Sequence, residues 1–123
     1  MKKSLYMVLA ALIVVKTAYA AQPTRIQVHT QEEIDKYVQA NPVVFLLVSA
    51  KWCPHCRALQ PVVDKLSQEL KNILFLDIDS ENKSLARKYA PQVFPTMQIY
   101  KNGEVTETIE GTRSHDQLRD LMK

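Results

Sequence analysis

Val43-Val44-Phe45-Leu46-Leu47-Val48 runs into Ser49-Ala50-Lys51-Trp52-Cys53-Pro54-His55-Cys56, and this stretch decides the fold. Its first part is short, continuously apolar and mostly β-branched or aromatic. Such a strand is buried on both faces, as at the centre of a sheet covered by helices. After Cys56, Leu59, Val62, Val63, Leu66 and Leu70 recur at three-to-four spacing, so the cysteines stand where the strand gives way to a helix. Pro54 falls in the first turn, where a helix tolerates proline. Pro61 falls inside the pattern and is expected to kink it.

Working outward, Arg25 to His29 alternates as a short strand. Thr30 and Glu33 form a capping box that opens a helix through about Gln39, and Asn41-Pro42 ends it. Downstream, Ile73 to Ile78 reads as a second buried strand and Ser84 to Tyr89 as a short helix. Thr96 to Tyr100 and Val105 to Ile109 flank Lys101-Asn102-Gly103-Glu104, whose Asn-Gly is a strong hairpin signal. Ser114 to Met122 closes as an amphipathic helix, with Ser114 and Gln117 as its capping box. The order β-α-β-α-β-α-β-β-α predicts an α/β domain: a central mixed sheet, parallel in part, flanked by helices on both faces.

The start of the chain reads as an address. Met1-Lys2-Lys3 is positive, Leu5 to Val15 is unbroken and apolar, and Ala18-Tyr19-Ala20 has the small-x-small form of a signal cleavage site. Together they predict a signal peptide over residues 1–20 and a mature domain over residues 21–123. The alternative, a retained membrane anchor, suits the sequence less well: eleven apolar residues reach only about 16 Å as a helix, against a hydrocarbon core roughly 30 Å thick. The Lys-Lys start and short apolar run suit a bacterium, hence the periplasm, where a cysteine pair can cycle or stay bonded.

The 123 residues carry 16 Lys+Arg against 13 Asp+Glu, with 46% hydrophobic residues. That length predicts one domain with its own core and no need of disulfide staples. Collagen-like, disordered acidic and cysteine-rich miniprotein classes are excluded. Lys2, Lys3 and Lys16 leave with the signal, so 13 basic residues then face 13 acidic ones. A formally neutral chain gives no reason to expect nucleic acid or anionic lipid as a partner.

Cys53 and Cys56 are the only cysteines. At a helix N-terminus, free N–H groups and the macrodipole favour an anion, so a thiolate at Cys53 is stabilised. Cys56, one turn in, is close enough to form a disulfide with it yet shielded by the helix. Cys53 is therefore expected to attack or be attacked, and Cys56 to resolve the mixed disulfide. His55 can add charge or a donor beside the Cys53 sulfur, or stand as a solvated loop histidine. A permanent structural disulfide would constrain little, because the loop is short. A zinc site lacks a second ligand pair, since His29 and His115 are single and remote. A soft-metal site on the two thiolates, as in a copper carrier, stays open.

At this point the chain resembles the thioredoxin superfamily over nearly all of residues 21–123. Trp52-Cys53-Pro54-His55-Cys56 is similar to its active site, Pro61 to its helix-kinking proline, and Val93-Phe94-Pro95-Thr96 to its cis-proline loop. Lys101-Asn102-Gly103-Glu104 resembles its hairpin turn, and Gly111 the glycine after its last strand. The resemblance implies a thioredoxin fold, a cis Phe94–Pro95 bond facing Cys53, and a substrate groove where the Phe94 backbone pairs with an extended client segment. Trp52 would rim that groove or pack beneath it.

The departures are informative. Pro54-His55 between the cysteines is DsbA-like, where cytosolic thioredoxins carry Gly-Pro. The family's buried acid and its lysine partner are replaced by Leu47 and Phe75. Asp77, Asp79 and Glu81 could substitute, but at a strand end they read as solvated. The resemblance thus implies a periplasmic thiol–disulfide oxidoreductase, with oxidase favoured over reductase. No metal or organic cofactor is expected beyond the Cys53/Cys56 pair itself. The implied partners are cysteine-containing envelope proteins and a membrane thiol oxidase or reductant channel, with the chain itself a monomer. The alternative is a copper-carrying or client-binding module on the same fold, without redox turnover.

Overall fold

The computed structural model describes residues 24–123; the expected signal and its cleavage point lie outside them. The elements follow in the expected order. They are β1 (Arg25–Gln27), α1 (Gln31–Ala40), β2 (Val43–Ser49), α2 (Pro54–Glu69), β3 (Leu74–Asp79), α3 (Lys83–Tyr89), β4 (Thr96–Lys101), β5 (Glu104–Glu110) and α4 (His115–Leu121).

The sheet runs β1-β3-β2-β4-β5. β1, β3 and β2 are parallel, while β4 and β5 are antiparallel to their neighbours. β2 lies at the centre, as its unbroken apolar run requires, and Val44 to Val48 are all buried. Alternation divides these side chains between two helix-covered faces. Val44, Leu46 and Val48 pack with Leu76 and Ile78 of β3 under α1 and α3, through Ile34, Val38, Leu85 and Ala86. Phe45 and Leu47 pack with Phe75, Met97 and Ile99 under α2 and α4, through Leu59, Val63, Leu66 and Leu118. The sheet is mixed and has helices on both faces.

Local signals hold with small corrections. Ser114 and Gln117 form the full capping box: the Gln117 N–H donates to Ser114 Oγ and the Ser114 N–H to Gln117 Oε1. At α1 only half of the expected box forms. The Glu33 N–H donates to Thr30 Oγ1, but the Glu33 carboxylate accepts from the main-chain N–H of His29, one residue earlier. α3 starts a residue sooner than expected because Asn82 caps it, its side-chain oxygen accepting from the Leu85 N–H. β3 starts a residue later, because the Ile73 N–H is spent on Leu70 at the end of α2. α2 runs continuously through Pro61, which lies on its exposed side. The hairpin turn has positive φ at both Asn102 (53°) and Gly103 (85°), the geometry a two-residue loop needs to follow strand twist.

Candidate active site

β2 delivers the chain to one end of the sheet, and the cysteines follow at the start of α2. Cys53 is the N-cap: its Sγ accepts from the Cys56 N–H at 3.4 Å. Pro54 takes the first helical position, where its missing N–H costs no helical bond. From the opposite side the loop before β4 arrives, with the Phe94–Pro95 peptide bond cis. The Cys53 thiol donates to the Phe94 carbonyl at 3.5 Å. Ala50, Cys53 and Cys56 form a small cluster against which Phe94 packs.

The two thiols are differentiated. Cys53 is 5% exposed and Cys56 1%, and both are free thiols. Burial works against a thiolate at Cys53. It is outweighed by the hydrogen bond with the Cys56 side chain, by the main-chain N–H groups of Cys56 and His55, and by the charge of Arg57, so the Cys53 thiol is held below the ordinary cysteine value. Burial first, and then the hydrogen bond to Cys53, push the Cys56 thiol up to about 11. The lower thiol is thus Cys53, at the helix start, and the higher is Cys56, one turn in.

His55 acts here through its main-chain N–H, with its side chain exposed at the second position of α2. The charge of Arg57 also favours the Cys53 thiolate, and the sequence reading did not place Arg57 in the site. Its signal was available: a cation one turn beyond the nucleophile on the same helix. Trp52 does not pack beneath the groove. It is 69% exposed and meets Phe94 edge-on, with ring centroids 5.8 Å apart. Pro95 is buried, and its carbonyl accepts from the Gly111 N–H, tying the loop to the end of β5.

Leu47 and Phe75 are each 1% exposed, apolar where the family's acid and lysine would stand. The nearby carboxylates are a correction. Asp77 and Asp79 have side-chain exposures of only 22% and 19%, so neither is freely solvated. Both line a cavity of about 650 Å³ that also reaches Cys56, Arg57 and Gln60. Asp77 is engaged by Arg25, which donates from Nε and a terminal nitrogen to its two oxygens and from the other terminal nitrogen to Asp64 on α2. Asp79 accepts from the Glu81 N–H and lies 3.9 Å from the Lys51 ammonium. Among the described residues no group of three or more His, Cys, Asp or Glu side chains converges as a metal site.

A redox-capable cysteine pair at a helix start, opposed by a cis-proline loop on a five-stranded sheet, defines a class that comparison names. The thioredoxin family model matches residues 25–123, and the chain belongs to that family of thiol–disulfide oxidoreductases. It is 42% identical over 88 residues to thioredoxin-3 of Dictyostelium discoideum, covering 70% of this chain and 83% of the relative. Thioredoxin H3 of Arabidopsis thaliana is 32% identical over 109 residues, covering 85% of this chain and 92% of its own length. By contrast, the chain spans 24% of a Schizosaccharomyces pombe relative named for protein disulfide-isomerase, with 27% identity. Among solved structures, a mutant thioredoxin from Halobacterium salinarum superposes with a TM-score of 0.74 at 34% identity, covering 84% of this chain and 92% of its own.

Proposed function

We propose that this chain exchanges disulfides with cysteine-containing proteins of the bacterial envelope, after export by a signal over residues 1–20, and that disulfide donation is favoured over reduction. The observation that carries the exchange chemistry is the placement of Cys53 Sγ between the Cys56 N–H and the Phe94 carbonyl, at 3.4 and 3.5 Å. In donation, a client thiolate attacks Cys53 of the oxidised pair. The Cys53–Cys56 bond breaks, a client–Cys53 bond forms, and the Cys56 sulfur leaves and takes up a proton. A second client thiolate then attacks the client sulfur and releases Cys53 as thiolate, so two electrons pass from client to protein. In the reverse direction Cys53 attacks a client disulfide, and Cys56 resolves the adduct after losing its proton.

Direction rests on Pro54-His55 and on the stabilised Cys53 thiolate, which favours the reduced protein and so makes the disulfide the better oxidant. The thioredoxin relatives support exchange without fixing its direction. A membrane thiol oxidase that restores the disulfide is the implied partner, and the sulfur pair itself serves as the redox group.

The test is insulin reduction beside refolding of a reduced, disulfide-requiring protein, each against Cys53→Ser. Refolding activity well above that of the variant is expected. If neither activity exceeds it, the reading fails, and tight uptake of one Cu(I) per chain would favour a metal carrier instead.

A further inference from the structure

We propose that the surface between α3 and the Phe94 loop is a client-docking site selective for an extended segment carrying acidic residues at alternate positions beside its cysteine. The proposal rests on the exchange reading above and names the client class that reading leaves open.

A cavity of about 420 Å³ opens next to Phe94, walled by α3 and the loop that follows it. Helical spacing puts Lys83, Ala86, Arg87 and Ala90 on one side of α3. The alanines are buried and form an apolar floor with Phe94, while Lys83 and Arg87 stand exposed above it. They are the only charged residues lining the cavity, and both are cations. Neither makes an ion pair among the described residues, whereas Arg25 is held by two carboxylates. Residues 21–123 are formally neutral, so this is a local excess of positive charge. Glu81 is the exposed acid nearest in sequence; Asp79 already faces Lys51.

An apolar contact adjoins these cations. Trp52 and Val93 are two of the three exposed large hydrophobic residues among those described, at 69% and 43%, and Trp52 stacks edge-on against Phe94 beside Cys53. A segment whose sulfur reaches Cys53 can therefore lay an apolar residue on Trp52 or Val93 and continue toward α3.

Spacing specifies the acidic pattern. Side chains four apart on a helix are about 5–6 Å apart at Cβ. In an extended chain, alternate residues share a face and stand about 6.6 Å apart. Two acids separated by one residue thus match Lys83 and Arg87, whereas adjacent acids would point to opposite faces. Electrostatic matching at such a rim acts mainly on the rate of encounter and on partner choice.

The test uses the reduced protein and two peptides, each with one cysteine activated as a nitrothiobenzoate disulfide. They differ only in carrying Glu-x-Glu or Lys-x-Lys beside that cysteine. Attack by Cys53 on the peptide sulfur forms the mixed disulfide and expels coloured nitrothiobenzoate, which gives the rate. The acidic peptide should react about 5-fold faster at about 0.01 M salt, and the difference should vanish near 1 M, where screening acts within about 3 Å. Lys83→Glu/Arg87→Glu should invert the order, and Lys83→Gln/Arg87→Gln should abolish the preference. Equal rates with the two peptides, or a preference that survives charge reversal, would overturn the docking site alone. Failure of the wild-type protein to react even with hydroxyethyl disulfide, which is small and neutral, would overturn the exchange reading as well.

Discussion

The Cys53 thiol lies 3.5 Å from the carbonyl oxygen of Phe94, a contact across 41 residues of sequence that brings the start of α2 against the loop before β4. A client sulfur bonded to Cys53 therefore emerges beside Trp52 and Phe94. Cys56 lies behind it, under the helix. This arrangement separates the roles of the two sulfurs and makes each of them measurable.

Alkylation should find Cys53 first. Its thiol is held below the ordinary value, so its reaction with iodoacetamide should level off at lower pH than that of a free cysteine. Removing a nearby cation disfavours the anion, so Arg57→Ala should move the inflection upward and slow alkylation at pH 7 by about 2- to 5-fold. An unchanged profile in Arg57→Ala would remove the guanidinium from the site.

Resolution should be strongly pH-dependent. The Cys56 thiol is pushed up to about 11, chiefly by burial, and burial persists when Cys53 is bonded to a client. Its thiolate fraction then rises about tenfold per pH unit across the neutral range. Decay of a preformed Cys53 mixed disulfide should follow that slope between pH 7 and pH 9. A flat profile would mean that another group, such as Asp79 across the shared cavity, takes the proton.

The Arg25 clasp should matter for stability and little for chemistry. Its guanidinium remains charged: burial opposes the charge, and the bonds to Asp77 and then Asp64 more than offset it. Arg25→Ala leaves Asp77 partly buried without its donors and detaches the short β1 from α2. Urea unfolding should record a loss of about 1–3 kcal/mol. A loss below about 0.5 kcal/mol would class the contact with ordinary surface pairs.

The last helix offers a smaller, cleaner test. Ser114→Ala removes the acceptor for the Gln117 N–H at a seven-residue helix that seals the core through Leu118. A cost of about 1 kcal/mol is expected in the same unfolding experiment; no change would mean that packing alone sets this helix end.

What could be read from the sequence was carried by short-range chemistry. The double-sided apolar run of β2, the Asn102-Gly103 turn and the Ser114 box each specify their own geometry within a few residues. The cysteine pair likewise carries its helix-start environment with it. What escaped needed the fold. Arg25 and Asp77 are 52 residues apart and meet only when β1 pairs with β3. Pairing of β3 with β1 and β2 likewise leaves Asp77 and Asp79 partly buried, which a strand-end position in sequence does not reveal. The half-formed box at Thr30 failed because Glu33 had a competing donor in the His29 N–H.

The most direct measurement is the redox equilibrium of Cys53/Cys56 against glutathione, in the form beginning at Ala21. The depressed Cys53 thiol stabilises the reduced protein fully above the ordinary thiol pKa, and this gain is lost as pH falls through the lower folded value. Raising the Cys56 thiol adds nothing at neutral pH, where an ordinary thiol is also protonated. The expected potential lies closer to the roughly −120 mV of strongly oxidising pairs than to the roughly −270 mV of thioredoxin. A value near −270 mV would contradict disulfide donation and make this chain a reductase.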